Sequence, residues 1–178
     1  MKCTKIMSLA VLMIMTSFSI ARSMEESIHM PARAASAEFE RIKALKGIWE
    51  WTSLSDGKTE KARVEYLLTS GGSAVVEKLF TGTPHEMTSV YYDRDGKLEM
   101  THYCMLGNRP HLKLKSADAR TMDFVLDAKA SGIKPKKEQH MHSLKLDFKD
   151  SDHFTQNWIC FEKGKPHESV VISLTRIK

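Results

Sequence analysis

Apolar positions recur every third residue before Gly47 and every second residue after it, so the pattern changes character at that glycine. In Ser36–Lys46, SAEFERIKALK, the residues Phe39, Ile42 and Leu45 fall on one helical face. Ser36 is placed to cap that helix and Gly47 to stop it. Period-two segments then follow, bounded by Gly, Asp, Asn and Pro. Strands are expected over Ile48–Leu54, Thr59–Leu68, Ser73–Phe80, Glu86–Tyr92, Lys97–Cys104, His111–Ala117 and Thr121–Asp127. After a longer loop, Ala128–Gln139, three more are expected over His140–Lys149, His153–Glu162 and His167–Ile177. Short, uniform connections between about ten strands predict an all-β fold, an up-and-down antiparallel barrel with a short N-terminal helix. Closing the sheet removes its unpaired edges, and barrels of this size enclose ligand cavities.

Alternation also assigns faces. Leu98, Met100, His102 and Cys104 share one face of the fifth strand, and charged Lys97 and Glu99 share the other, which should meet water. In the eighth strand His140, His142, Leu144, Leu146 and Phe148 lie opposite Lys145 and Asp147. A turn at Ser151 sets Phe148 against Phe154, Leu146 against Gln156, Leu144 against Trp158 and His142 against Cys160. Any one-residue slip would invert every pair. Met122, Phe124 and Leu126 supply apolar interior, as do Val170, Ile172 and Leu174. The interior is therefore expected to hold His102, His140, His142, Gln156, Cys104 and Cys160. That is more buried polarity than a closed core needs, because such groups are costly without partners. It points to a cavity.

The N-terminus changes the picture of where this barrel works. Lys2 and Lys5 precede an apolar run from Ile6 to Ile20, and Ala21-x-Ser23 has small residues at a cleavage position. Residues 1–23 read as a secretory signal peptide, 24–35 as a flexible lead-in and 36–178 as a single barrel domain. The protein is thus expected to be secreted or periplasmic, with no membrane span after cleavage. Removal of Lys2, Lys5 and Arg22 lowers the formal net charge from +5 to about +2. Its densest basic run, Lys134-Pro135-Lys136-Lys137, sits in the long loop, so a nucleic-acid partner is not expected. Export permits a Cys104–Cys160 disulfide. Inward residues on non-adjacent strands of a barrel lie beyond the reach of one, and two free thiols are expected.

Gly47-Ile48-Trp49, where the helix gives way to the first strand, resembles the Gly-x-Trp signature of lipocalins and related calycins. Arg176 resembles the arginine that packs over that tryptophan. The segments GGSAVVEKLF, MTSVYY and LEMTHYCMLGNRP resemble a bacterial branch of lipocalin-like proteins carrying a Thr-His-Tyr-Cys-x-x-Gly-Asn motif. The resemblance spans roughly residues 39–177. It implies the barrel, with Trp49 and Arg176 as structural residues, and no particular chemistry.

Candidate chemistry centres on the inward polar set. His102 and Cys104 would line the cavity with His140, His142, Gln156 and Trp158. Asn108 and Arg109, in the following mouth loop, would meet a polar or anionic ligand head. His140-x-His142 and His102-x-Cys104 also have spacings used for zinc or copper, although non-sequential strands must bring them together. Haem fits poorly: the last strand, HESVVISLTR, has its only histidine, His167, at the very start. Phosphate loops, serine elbows and HExxH sequences are missing. The expectation is a small, partly apolar ligand in the barrel and no required cofactor, with a metal centre or an enzyme built on the His/Cys cluster as the alternative.

Overall fold

A computed structural model of the protein describes residues 35–55 and 58–178. The signal segment, its cleavage position and nearly all of the lead-in lie outside the described residues. Ten strands form one closed barrel: β1 (Gly47–Ser55), β2 (Lys58–Thr69), β3 (Ala74–Leu79), β4 (Met87–Arg94), β5 (Lys97–Tyr103), β6 (His111–Ala117), β7 (Thr121–Leu126), β8 (His140–Phe148), β9 (His153–Glu162) and β10 (Lys165–Arg176). Each strand pairs antiparallel with its sequence neighbours, and β1 closes the wall on β10. The turns explain the meander. Asp95-Gly96 and Lys163-Gly164 are two-residue connections with positive φ at both positions, a backbone that matches the twist of the strands it joins. Within the long loop lies a single helical turn, α2 (Ala128–Ser131), capped by Asp127.

One end of the barrel is sealed. Helix α1 (Ala37–Lys43) starts at Ser36, whose Oγ accepts from the Phe39 amide at 3.0 Å and donates to Asp93 at 2.9 Å. Phe39, Ile42 and Leu45 are buried, so the apolar face read from the sequence is the lid over this end. Arg176 ties the lid down. Its guanidinium lies 4.1 Å over the Trp49 ring and donates to the carbonyls of Ala44 and Lys46 at 3.0 and 2.8 Å. Trp49 is fully buried and donates through Nε1 to the Leu45 carbonyl at 2.8 Å. Gly47 has φ +139°, and a Cβ there would collide with the Lys178 carbonyl and crowd Arg176. The helix ends earlier than expected, at Lys43 with Ala44 as its C-cap, so the glycine does not stop it: Gly47 lets the start of β1 lie close against the Lys178 carbonyl.

The register set by the Ser151 turn is observed for Phe148–Phe154, Leu146–Gln156 and Leu144–Trp158. It breaks at the next pair. A β-bulge between Met141 and Ser143 inserts His142 as an extra residue, so Met141 rather than His142 opposes Cys160. Beyond the bulge the faces exchange: Met141 packs against the core, and His142 stacks on Phe161 with ring centroids 3.8 Å apart. The expected inward position of His142 is thus corrected by one inserted residue. His140 opposes Phe161 and is fully buried, but its neighbours are the Glu138 carbonyl (2.7 Å) and His142 (3.2 Å), not the barrel interior. The outer face of β5 also departs from simple alternation. Glu99 is buried on a face expected to be wet, ion-paired with Arg94 Nη2 (2.9 Å) and with His111 Nε2 3.0 Å away.

Candidate ligand-binding site

Four inward residues form one rung across four strands: Tyr66 opposes Glu77, Glu77 opposes Ser89, and Ser89 opposes His102. Directly opposed residues have Cβ atoms close enough for their side chains to meet. Tyr66 donates its hydroxyl to Glu77 Oε1 at 2.5 Å, and Tyr91 donates to Oε2 at 3.2 Å. Gln156 reaches across the lumen from β9. Its Nε2 donates to the Tyr66 oxygen at 2.7 Å and to Glu77, and its Oε1 accepts from Trp158 Nε1 at 2.9 Å. An indole N–H only donates, so this last bond fixes which end of the Gln156 amide is oxygen.

One hydrogen position follows from it. Tyr66, whose oxygen accepts from Gln156, must send its proton to Glu77. The carboxyl group then receives donors from Tyr66, Tyr91 and Gln156. Glu77 is their common acceptor. Burial pushes its carboxyl above the ordinary value, and these hydrogen bonds oppose that rise. Ser89 Oγ and His102 Nδ1 share a hydrogen bond of 3.0 Å. The other ring nitrogen, Nε2, is buried and has no hydrogen-bond partner.

His102 lines a cavity of about 410 Å³ toward the open end. Leu79, Met87, Met141, Val170 and Ile172 line it, with the Trp158 indole 4.7 Å from the His102 ring. Met105, His85 and Glu168 are exposed residues at its rim. Burial lowers the His102 pKa to about 4. Between about pH 6.5 and 4 the unfolded chain takes up a proton here that the folded chain refuses. The stability contributed by the neutral ring is therefore complete above about pH 6.5 and is lost as pH falls toward 4, on the order of 3 kcal/mol. Glu77 acts in the opposite sense, because its raised pKa favours the folded form on acidification. His102→Phe retains Glu77 and lacks the imidazole, so urea midpoints of the two proteins at pH 7 and pH 4.5 should show a smaller acid loss for the variant. Parallel losses would contradict the placement of His102.

Of the residues expected to line the ligand site, the structure gathers His102, Gln156 and Trp158 in and beneath the cavity. Cys104, Asn108 and Arg109 lie elsewhere. With Tyr103, Ile133 and Glu138 they line a separate surface cleft of about 480 Å³, between the 104–110 loop and the long loop. Asn108 is occupied structurally, donating to the Gln139 carbonyl at 2.8 Å, and Arg109 is exposed. Cys104 and Cys160 are free thiols. They are near enough for Cys160 to add to the burial that raises the Cys104 pKa. The pairs His102/Cys104 and His140/His142 do not converge, and among the described residues no three His, Cys, Asp or Glu side chains form a metal-binding group.

Sequence reasoning missed Tyr66, Glu77, Ser89 and Tyr91. The signal was present in Ala74–Leu79, AVVEKL, where alternation puts Glu77 on the same face as Val75 and Leu79. A carboxylate amid an apolar face marks a buried, partnered charge.

No family model matches the chain, and no curated protein matches it. Among solved structures it is similar to a redesigned β-barrel, at 12% identity with a TM-score of 0.33, over 77% of this chain and 95% of that one. Among the described residues no helix is long and apolar enough to cross a membrane.

Proposed function

We propose that this protein is an exported, lipocalin-like binding protein that takes a small, partly apolar molecule into the open-end cavity. One observation carries the reading: toward its open end the barrel holds a cavity of about 410 Å³ walled mainly by apolar side chains, with the His102 ring among them. The Gly47-x-Trp49 start of β1, with Arg176 stacked on Trp49, supports the lipocalin-like part. The charged and apolar segments before Ser23 support export.

The neutral, fluorescent amine N-phenyl-1-naphthylamine is a suitable probe, since it is apolar and carries one N–H. Titration should give saturable fluorescence enhancement with one site per chain, and quenching of Trp158. Because His102 remains neutral well below its ordinary range, the affinity should stay level between about pH 8 and 5. Met87→Trp, which fills the cavity, should abolish the signal. Non-saturable enhancement, or enhancement unaffected by Met87→Trp, would refute binding in the cavity.

A further inference from the structure

We infer that the open end of the barrel docks on a membrane surface that carries anionic phospholipid. The inference goes beyond the reading of the cavity as a binding site and does not depend on it. It comes from the loops around the mouth, where an apolar turn stands beside a cluster of lysines.

The turn is Cys104–Gly107. The Gly107 amide donates to the Cys104 carbonyl at 3.0 Å, so Met105 and Leu106 are the two central residues of a tight turn. Such positions ordinarily carry Gly, Asn, Asp, Ser or Pro, which suit the bent backbone. Here Met105 is 55% exposed, Leu106 42% and the adjoining Tyr103 51%. These four consecutive positions thus present two apolar side chains and an amphipathic ring to the outside. The turn is held in place: the Cys104 amide donates to the Asn108 carbonyl at 3.1 Å, and Asn108 Nδ2 donates to the Gln139 carbonyl at 2.8 Å.

The Gln139 bond ties the turn to the long loop, which carries the exposed Lys134, Lys136 and Lys137. Lys136 lies against the β9–β10 turn, since a Cβ added at Gly164 would come within 3.3 Å of its Cγ. That turn adds the exposed Lys163 and Lys165. Among the described residues the lysines that form ion pairs are Lys43, Lys61, Lys113 and Lys145, and none of these five is among them. Two acids stand in the same segments, Glu138 and Glu162. Glu138 is half-buried and accepts from the Lys134 amide at 3.0 Å, and Glu162 lies 3.6 Å from His167. The cluster is therefore positive.

Charge and side-chain chemistry together select the partner. A lysine close to an anionic bilayer strengthens binding about fivefold. It is a hydrated point charge on a flexible stem and adapts to mobile headgroups, whereas the fixed carboxylates of a protein partner favour arginine forks. Buried apolar area and attraction to anionic lipid add in interfacial binding, and Met105 and Leu106 supply the first beside the second. Tyr103 has an apolar body and a polar tip, the form suited to the headgroup level. Met105 also lines the cavity, so docking brings its mouth to the lipid.

Leu106→Trp in the full chain tests the placement, with vesicles of brominated phosphatidylcholine and phosphatidylglycerol in equal parts against brominated phosphatidylcholine alone. Trp49 and Trp158 are buried and Trp51 is half-buried, so bromine in the bilayer reaches the introduced indole selectively. Residues 1–23 contain no tryptophan, which keeps the signal local to the turn. Quenching should be strong on the mixed vesicles and weak on phosphatidylcholine alone. Adding Lys136→Glu and Lys137→Glu, both at exposed positions, should raise the lipid concentration for half-quenching at least about tenfold. Absent quenching, equal quenching on the two vesicles, or quenching that survives the charge reversal would overturn the inference. A rim that ignores vesicles and binds polyglutamate through the same lysines would be a protein-docking surface, which also overturns it.

Discussion

Replacing Glu77 with alanine should destabilise the protein by about 4 kcal/mol, seen as a large fall in the urea midpoint at pH 7. The carboxylate is the one acceptor shared by Tyr66, Tyr91 and Gln156, all in the barrel interior. Alanine leaves these donors with no acceptor and leaves a void that the surrounding wall does not fill. Breaking a buried charged network by removing one partner costs about 3–5 kcal/mol. For a domain whose total stability is about 5–15 kcal/mol, that is a large fraction. Glu77→Gln keeps the volume and one acceptor oxygen but points an amide N–H₂ at existing donors, so it should lie between the parent and alanine. A change below about 1 kcal/mol for Glu77→Ala would mean that the interior donors find other partners.

The second large effect belongs to the sealed end. Trp49→Ala should cost about 4 kcal/mol, within the range for removing a buried aromatic. The indole is packed edge-on against Phe154 at 4.8 Å and Tyr66 at 6.5 Å, and Arg176 lies over its face. Removing it takes away these contacts and the Nε1 bond to Leu45 together. It also frees Arg176, so α1 should loosen from the barrel: amide exchange at Phe39–Leu45 should rise more than in the β6–β8 wall. Exchange that increases uniformly would show that the lid and the barrel open as one unit.

The meander was legible because it depends on local information. Period-two alternation, Gly-containing turns and a one-residue-sensitive register are each written in a few neighbouring residues. The inward positions of Met100 and His102 followed from alternation, and those of Gln156 and Trp158 from the register set by the Ser151 turn. Where the reading failed, an inserted or inverted residue intervened. The His142 bulge leaves no mark that distinguishes it from continued alternation, yet it turns Met141 inward and carries His142 to Phe161. Glu99 is buried on an outer face, ion-paired with Arg94 and beside His111, a neighbourhood that only the pairing of β4, β5 and β6 reveals. Asn108 and Arg109 follow His102 closely in sequence but lie around a corner from it, since the 104–110 loop folds toward the long loop. The polar cluster of Tyr66, Glu77, Ser89, His102 and Gln156 needed the whole register, because its members come from β2, β3, β4, β5 and β9.

The most direct measurement is the imidazole nitrogen spectrum of ¹⁵N-labelled protein, with His102 assigned by its absence in His102→Phe. At pH 5 the ring should still be neutral, because burial lowers its pKa to about 4, and saturation with N-phenyl-1-naphthylamine should shift its resonances. A ring that takes up its proton near pH 6.5, or resonances unmoved by the bound probe, would contradict the account.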